Sequence, residues 1–276
     1  MERRLILRGM LVGALAGLLA AVFTRIFVEP QIEAAINYES GRDAAQSALD
    51  TAAGLSAHEH EAELFSRTIQ ADLGMGVGMI LFGVAMGALF AVVFTVSVGR
   101  VGKLRPRTLA LLLAGAGLLG IYLVPSLKYP ANPPAVGDHD TIVNRGSMYL
   151  IMVAGSVAIL LVAVRLGRQL APRLGNWNAS LVAGGTFILV IGVVMTILPS
   201  FGHGGHATET PFALRDTDGT IVYDGFPADV LSAFRMYTVG AQILLWAAIG
   251  LLFGPLAERL LTPGRIATAD RTPVGV

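Results

Sequence analysis

GMGVGMILFGVAMGALFAVVFTVSVGRVGKLRPR, residues 74–107, decides the fold. Residues 74–99 carry no charge, and then Arg100, Lys103, Arg105 and Arg107 arrive together. A hydrocarbon core about 30 Å thick takes about 20 helical residues to cross. The stretch therefore reads as a membrane-crossing helix over roughly 72–98 that stops on a basic cluster.

Working outward, five more stretches have the same character, over roughly 9–28, 108–125, 147–164, 179–199 and 234–254. The expected fold class is all-α: a polytopic helical membrane protein with six transmembrane helices in a single integral membrane domain over 1–276. Composition agrees. Of 276 residues 54% are hydrophobic and 14% charged, with 33 glycines, whereas a soluble chain is about 25% charged. Glycine in membrane helices lets neighbours approach closely. No segment alternates with period two, which disfavours a β-barrel. The net charge of +1 offers no basic field for nucleic acid. With no cysteine, disulfides and thiolate metal sites are excluded. The first apolar run is too long for a signal-peptide core and no small-residue cleavage site follows it, so it reads as a retained span.

Charge sets the expected orientation. The N-terminal segment, the links between spans two and three and between four and five, and the C-terminal segment hold 13 of the 20 Lys/Arg residues. Of the 19 acids they hold only Glu2, Glu258 and Asp270. The other three connections, with adjoining span ends, hold 16 acids and all five histidines. By the positive-inside rule the basic segments, and with them both termini, face the cytoplasm.

Pairing the spans as hairpins brings out a repeat. Odd spans end on Pro30, Pro125 and Pro199, and even spans open with Arg67, Arg145 and Arg235. Three parallel helical-hairpin repeats about an axis along the membrane normal would place these arginines in a ring. Asp72, Asp140 and Asp229 are the nearest acidic partners in sequence. Gly13-xxx-Gly17, Gly74-xxx-Gly78, Gly83-xxx-Gly87 and Gly250-xxx-Gly254 read as packing faces.

The chemistry-bearing residues lie outside the spans. His58 and His60 lead into span two, Asp138, His139 and Asp140 precede span four, and His203 and His206 follow span five. Imidazole with carboxylate suits borderline divalent ions such as cobalt, nickel and zinc. Taken together these residues form an expected metal-collecting vestibule, against the plainer reading that outer loops are simply polar. Met75, Met79, Met86, Met148 and Met152 are the only candidate ligands at depth, and as thioethers they read more readily as packing. No P-loop is present and no histidine lies inside a span near Ser156, which points away from an enzyme.

HEHEAELFSRTIQADLGMGVGMILFGVAMGALF (58–90), YPANPPAVGDHDTIVNRGSMYL (129–150) and FRMYTVGAQILLWAAIGLLFG (234–254) together resemble the CbtA family of proposed cobalt transporter subunits. The Asn132–Asp138 run is the most specific piece. The resemblance implies a multi-pass inner-membrane subunit for cobalt uptake linked to cobalamin supply, working beside a small single-span companion that carries histidines. The His-rich stretch before span two is short here, reduced to His58 and His60. The expected function is a subunit admitting Co²⁺ or a neighbouring divalent ion, with no bound cofactor, with the lipid bilayer and possible further copies of itself as partners. The alternative class is a non-transporting membrane scaffold for a partner protein.

Overall fold

The computed structural model describes residues 2–55, 69–102, 104–137, 139–201 and 209–261. Helix dominates: α1 (Glu2–Phe23), α2 (Glu29–Ala52), α3 (Met75–Ser97), α4 (Pro106–Gly117), α5 (Val124–Lys128), α6 (Ile142–Ile197) and α7 (Ala228–Leu261). A short antiparallel pair, β1 (Leu214–Arg215) and β2 (Ile221–Tyr223), is the one departure from helix among the described residues that the sequence pattern did not suggest. Five helical stretches are long and apolar enough to cross a membrane: Glu2–Ala52, Met75–Ser97, Pro106–Lys128, Ile142–Ile197 and Ala228–Leu261. The chain divides into two compact units.

The first unit comprises Met1–Phe23, Thr68–Leu118 and Ala241–Val276. Its centre is the antiparallel contact of α1 with α3. Gly9 lies against Gly87, Gly13 against Gly83, and Gly17 against Met79 and Ile80, so closely that a Cβ at any of the three would strike the facing backbone. Helices in lipid gain little from hydrophobic burial, so close backbone packing takes its place. Gly250 and Gly254 likewise pack on Ala114, Ala110 and Arg107. Gly74-xxx-Gly78 does not behave this way: Gly78 faces open space and Gly74 meets only the carbonyl of Ile69. Phe90 and Phe94 set their rings edge-on to Phe253, at centroid distances of 5.3 and 5.0 Å. At one end Arg107 pairs with Glu258, and Arg8 Nη1 donates to the Leu256 carbonyl at 2.7 Å.

The second unit comprises Thr24–Arg67 and Leu119–Gly240. Here α6 is too long to be one straight rod: 56 residues at 1.5 Å each would measure about 84 Å. It breaks at Gly175, whose φ of 74° and ψ of 161° are non-helical and suit only glycine. Gly167 and Ala183, each eight positions from that break, face one another, so 142–174 and 176–197 are two arms folded back on each other. Met152 and Ala163 of one arm share a core with Phe187 and Ile191 of the other.

Pro30 and Pro125 do not end their helices as the sequence suggested. The chain runs through π-helical turns at Thr24–Val28 and Leu118–Leu123 and resumes as α-helix at Glu29 and Val124. A proline lacks the N–H that the preceding turn requires and its ring crowds the carbonyl four residues back. One widened turn relieves that crowding. Pro199 does follow a helix end, with Leu198 already extended. Beyond Pro30, α2 is polar. Its Tyr38 packs edge-on to Phe226 at 5.0 Å and donates to the Asp224 carbonyl at 3.0 Å. Arg42 Nη1 donates to the Phe212 carbonyl at 2.7 Å. Together α2, the 129–137 loop and 209–227 build a polar layer within this unit.

Candidate functional site

The Asn132-Pro-Pro-Ala-Val-Gly run organises this layer. Two prolines fix φ, and the Val136 N–H donates to the Pro133 carbonyl at 3.3 Å, closing a tight turn. Ala135 sits in that turn at φ 64°, a left-handed conformation that costs a non-glycine residue about 1–2 kcal/mol. Gly137 follows at φ 106°, and a Cβ there would strike the Arg145 guanidinium. Buried Val136 plugs the core formed by Ala35, Tyr38 and Phe226. The loop is therefore a rigid part that presents named groups.

Those groups converge on Glu209. Arg145 Nη2 lies 3.5 Å and Arg235 Nη2 3.9 Å from its Oε2. The side chains of Glu209 and Arg145 are only 15% and 18% exposed. The amide of Asn132 donates to the same carboxylate oxygen, while its Oδ1 accepts from Arg235 Nη2 at 2.7 Å. Arg235 Nε donates to the Ala131 carbonyl at 3.3 Å, and the Gly137 N–H donates to the Glu209 carbonyl at 3.0 Å. Two guanidiniums and an amide share one carboxylate, so the cluster acts as a latch that holds the layer together.

Beside the latch lies a cavity of about 620 Å³, lined among others by Glu39, Tyr129, Asn132, Arg145, Gly146 and Tyr149. A smaller hollow of about 300 Å³ shares Glu39 and adds Arg42 and Asp43. Burial pushes the Tyr129 phenol above its ordinary pKa. It stays neutral and donates to the Pro199 carbonyl at 2.7 Å.

The proposed metal ligands fare unevenly. His58, His60, Asp138, His203 and His206 lie outside the described residues, as does the His139 side chain. Asp140 is described and exposed, in a short 3₁₀ turn over His139–Thr141. Among the described residues no three His, Asp or Glu side chains gather where a metal could be held. Met152 is buried against Val124, Tyr129 and Phe187 and Met86 is buried in the first unit, which is packing. Of the expected arginine ring, Arg145 and Arg235 do meet. Arg67 and the Asp72 side chain lie outside the described residues. The anion that Arg145 and Arg235 share, Glu209, was missed because it lies 64 and 26 positions from them in a loop without local periodicity. Its signal was only its place, three residues after His206.

A family model described as a probable cobalt transporter subunit, CbtA, matches residues 2–258. No curated protein and no solved structure matches the chain.

Proposed function

Because the chain belongs to the CbtA family, we propose that it is the membrane-spanning subunit of a cobalt uptake system. It admits Co²⁺ or a neighbouring divalent ion from the periplasmic side of the inner membrane and feeds cobalamin supply. The observation that carries the reading is the Gly137–Glu209 hydrogen bond. It ties together the two points from which the Asp138-His139-Asp140 and His203–His206 stretches depart. His139 is two residues from Gly137 and His206 three from Glu209, reaches of about 7 and 11 Å at full extension. Chain connectivity therefore lets both stretches serve one ion above the cavity.

The fold-back at Gly175 supports six crossings, since it turns α6 into two arms that each span a bilayer. Trp177, 76% exposed beside the break, suits a membrane interface. With the basic segments inside, both termini are cytoplasmic and the latch lies on the outer side. In this reading the six crossings form one integral membrane domain. A divalent ion moving inward gains about 4.6 kcal/mol per 100 mV of membrane potential. A histidine-bearing single-span companion, or further copies of this chain, completes the transporter. Cobalt accumulation in cells with and without the gene, at limiting external cobalt, tests the proposal. Equal accumulation in both overturns it.

A further inference from the structure

The cavity has a floor, and the floor is tethered. Arg145, Tyr149, Met152 and Ser156 follow one another at spacings of four, three and four along one face of α6. Arg145 and Tyr149 line the cavity, whereas Met152 is 1% and Ser156 0% exposed. Open space gives way to sealed core within a single turn, at Tyr149.

What holds Tyr149 there follows from Pro125. An α-turn at Pro125 would serve the carbonyl of Ile121 and a π-turn that of Gly120, but proline has no N–H to give to either. A polar backbone group left bare in this setting is costly. Tyr149 Oη donates to the Ile121 carbonyl at 3.1 Å, and Ser156 Oγ donates to the Gly120 carbonyl. Both oxygens to which Pro125 can give no N–H are thus served by hydroxyls of α6. Ser156 is locked in full burial. Tyr149 is half-buried, with its ring between the cavity and the core.

We infer that Tyr149 is the gate of the outer cavity, closed by its hydroxyl bond to Ile121, and that the divalent cargo passes when this bond breaks. The inference rests on the uptake reading for its cargo, but the gate itself is a statement about access. Swinging the ring aside breaks one neutral hydrogen bond and the ring's packing against the core, and uncovers the Ile121 carbonyl oxygen. Uncharged backbone carbonyls lining a passage are suitable temporary ligands for a cation in a membrane protein. The gate is a positioning element, and its tether is supplied by the proline of the facing helix.

The chain has no cysteine, so single cysteines report without background. Gly146→Cys lines the cavity, and a Cβ there meets nothing within 4 Å. Met152→Cys lies beneath the gate. Each is placed in the full-length protein, purified in detergent, and treated with a small charged thiol reagent. The expected result is rapid labelling at position 146 in every background. Labelling at 152 should be at least tenfold slower with Tyr149 present, and should rise several-fold in Tyr149→Phe and by tenfold or more in Tyr149→Ala. Tyr149→Phe keeps the ring and removes only the hydroxyl, and recovery of a monodisperse folded protein separates loss of the tether from unfolding. Position 152 as reactive as 146 with Tyr149 intact, or unresponsive to both substitutions, overturns the gate. Slow labelling at 146 overturns it too, because the cavity would then be closed above Tyr149. Labelling requires no transport, so a failure of cobalt uptake alone bears on the proposed function and leaves the gate standing.

Discussion

Gly137 donates its backbone N–H to the carbonyl of Glu209 at 3.0 Å, a bond that spans 72 residues of sequence. The Glu209 side chain meanwhile serves Arg145, Arg235 and Asn132. One residue thus fixes the loop by its backbone and the latch by its carboxylate.

Glu209→Ala is expected to lower stability by about 2 kcal/mol, because two partly buried guanidiniums lose their shared anion. Glu209→Gln, which keeps an acceptor, should cost less. Thermal unfolding of the purified protein in detergent measures both. Equal melting temperatures for all three proteins would contradict the latch.

Gly137→Ala forces a side chain onto φ 106° and into the Arg145 guanidinium. A loss of about 1–2 kcal/mol follows. Gly146→Ala, with open space around it, should be nearly neutral in the same assay.

The helix-packing glycines divide sharply. Gly13→Leu and Gly83→Leu drive α1 and α3 apart and should abolish recovery of folded protein. Gly76→Leu and Gly78→Leu, whose Cβ positions are open, should be tolerated. Size-exclusion profiles after membrane extraction report the difference.

Much of this was legible in the sequence, and the remainder failed for physical reasons. Apolar runs and their basic flanks gave the helices, because a hydrocarbon slab imposes length and charge rules on each segment by itself. The faces at Gly13, Gly83 and Gly250 were also visible, since small-residue spacing is local. Gly74-xxx-Gly78 has the same spacing but no neighbour there, and a motif cannot report its partner. Pro30 and Pro125 looked like stops because the π-turns that absorb them depend on donors from elsewhere, such as Tyr149 for Ile121. Gly175 was one glycine among 33. Glu209 and Asn132 stayed hidden because a latch is assembled from loops distant in sequence.

The proposed six crossings, oriented by the basic segments, predict a topology. Reporters fused after Lys103, at Gly175 or at the C-terminus should read cytoplasmic, and those within 40–60 or 205–225 periplasmic. A cytoplasmic signal at 205–225 would contradict six crossings.

The most direct test of the central claim is cobalt uptake by cells carrying His203→Ala with His206→Ala, across external cobalt concentration and pH. Neutral imidazole is the ligand and its unperturbed pKa is about 6.5. The native protein should therefore lose capture as the medium falls below about pH 6, where the imidazoles protonate and cannot bind metal. The double variant should take up several-fold less cobalt when cobalt is limiting, approach the native rate when it is abundant, and lose most of that pH dependence. Met75→Leu, which keeps packing and removes a thioether, should match the native protein throughout. Uptake that follows Met75 and ignores the histidines, or that is unchanged by either substitution, would contradict the account.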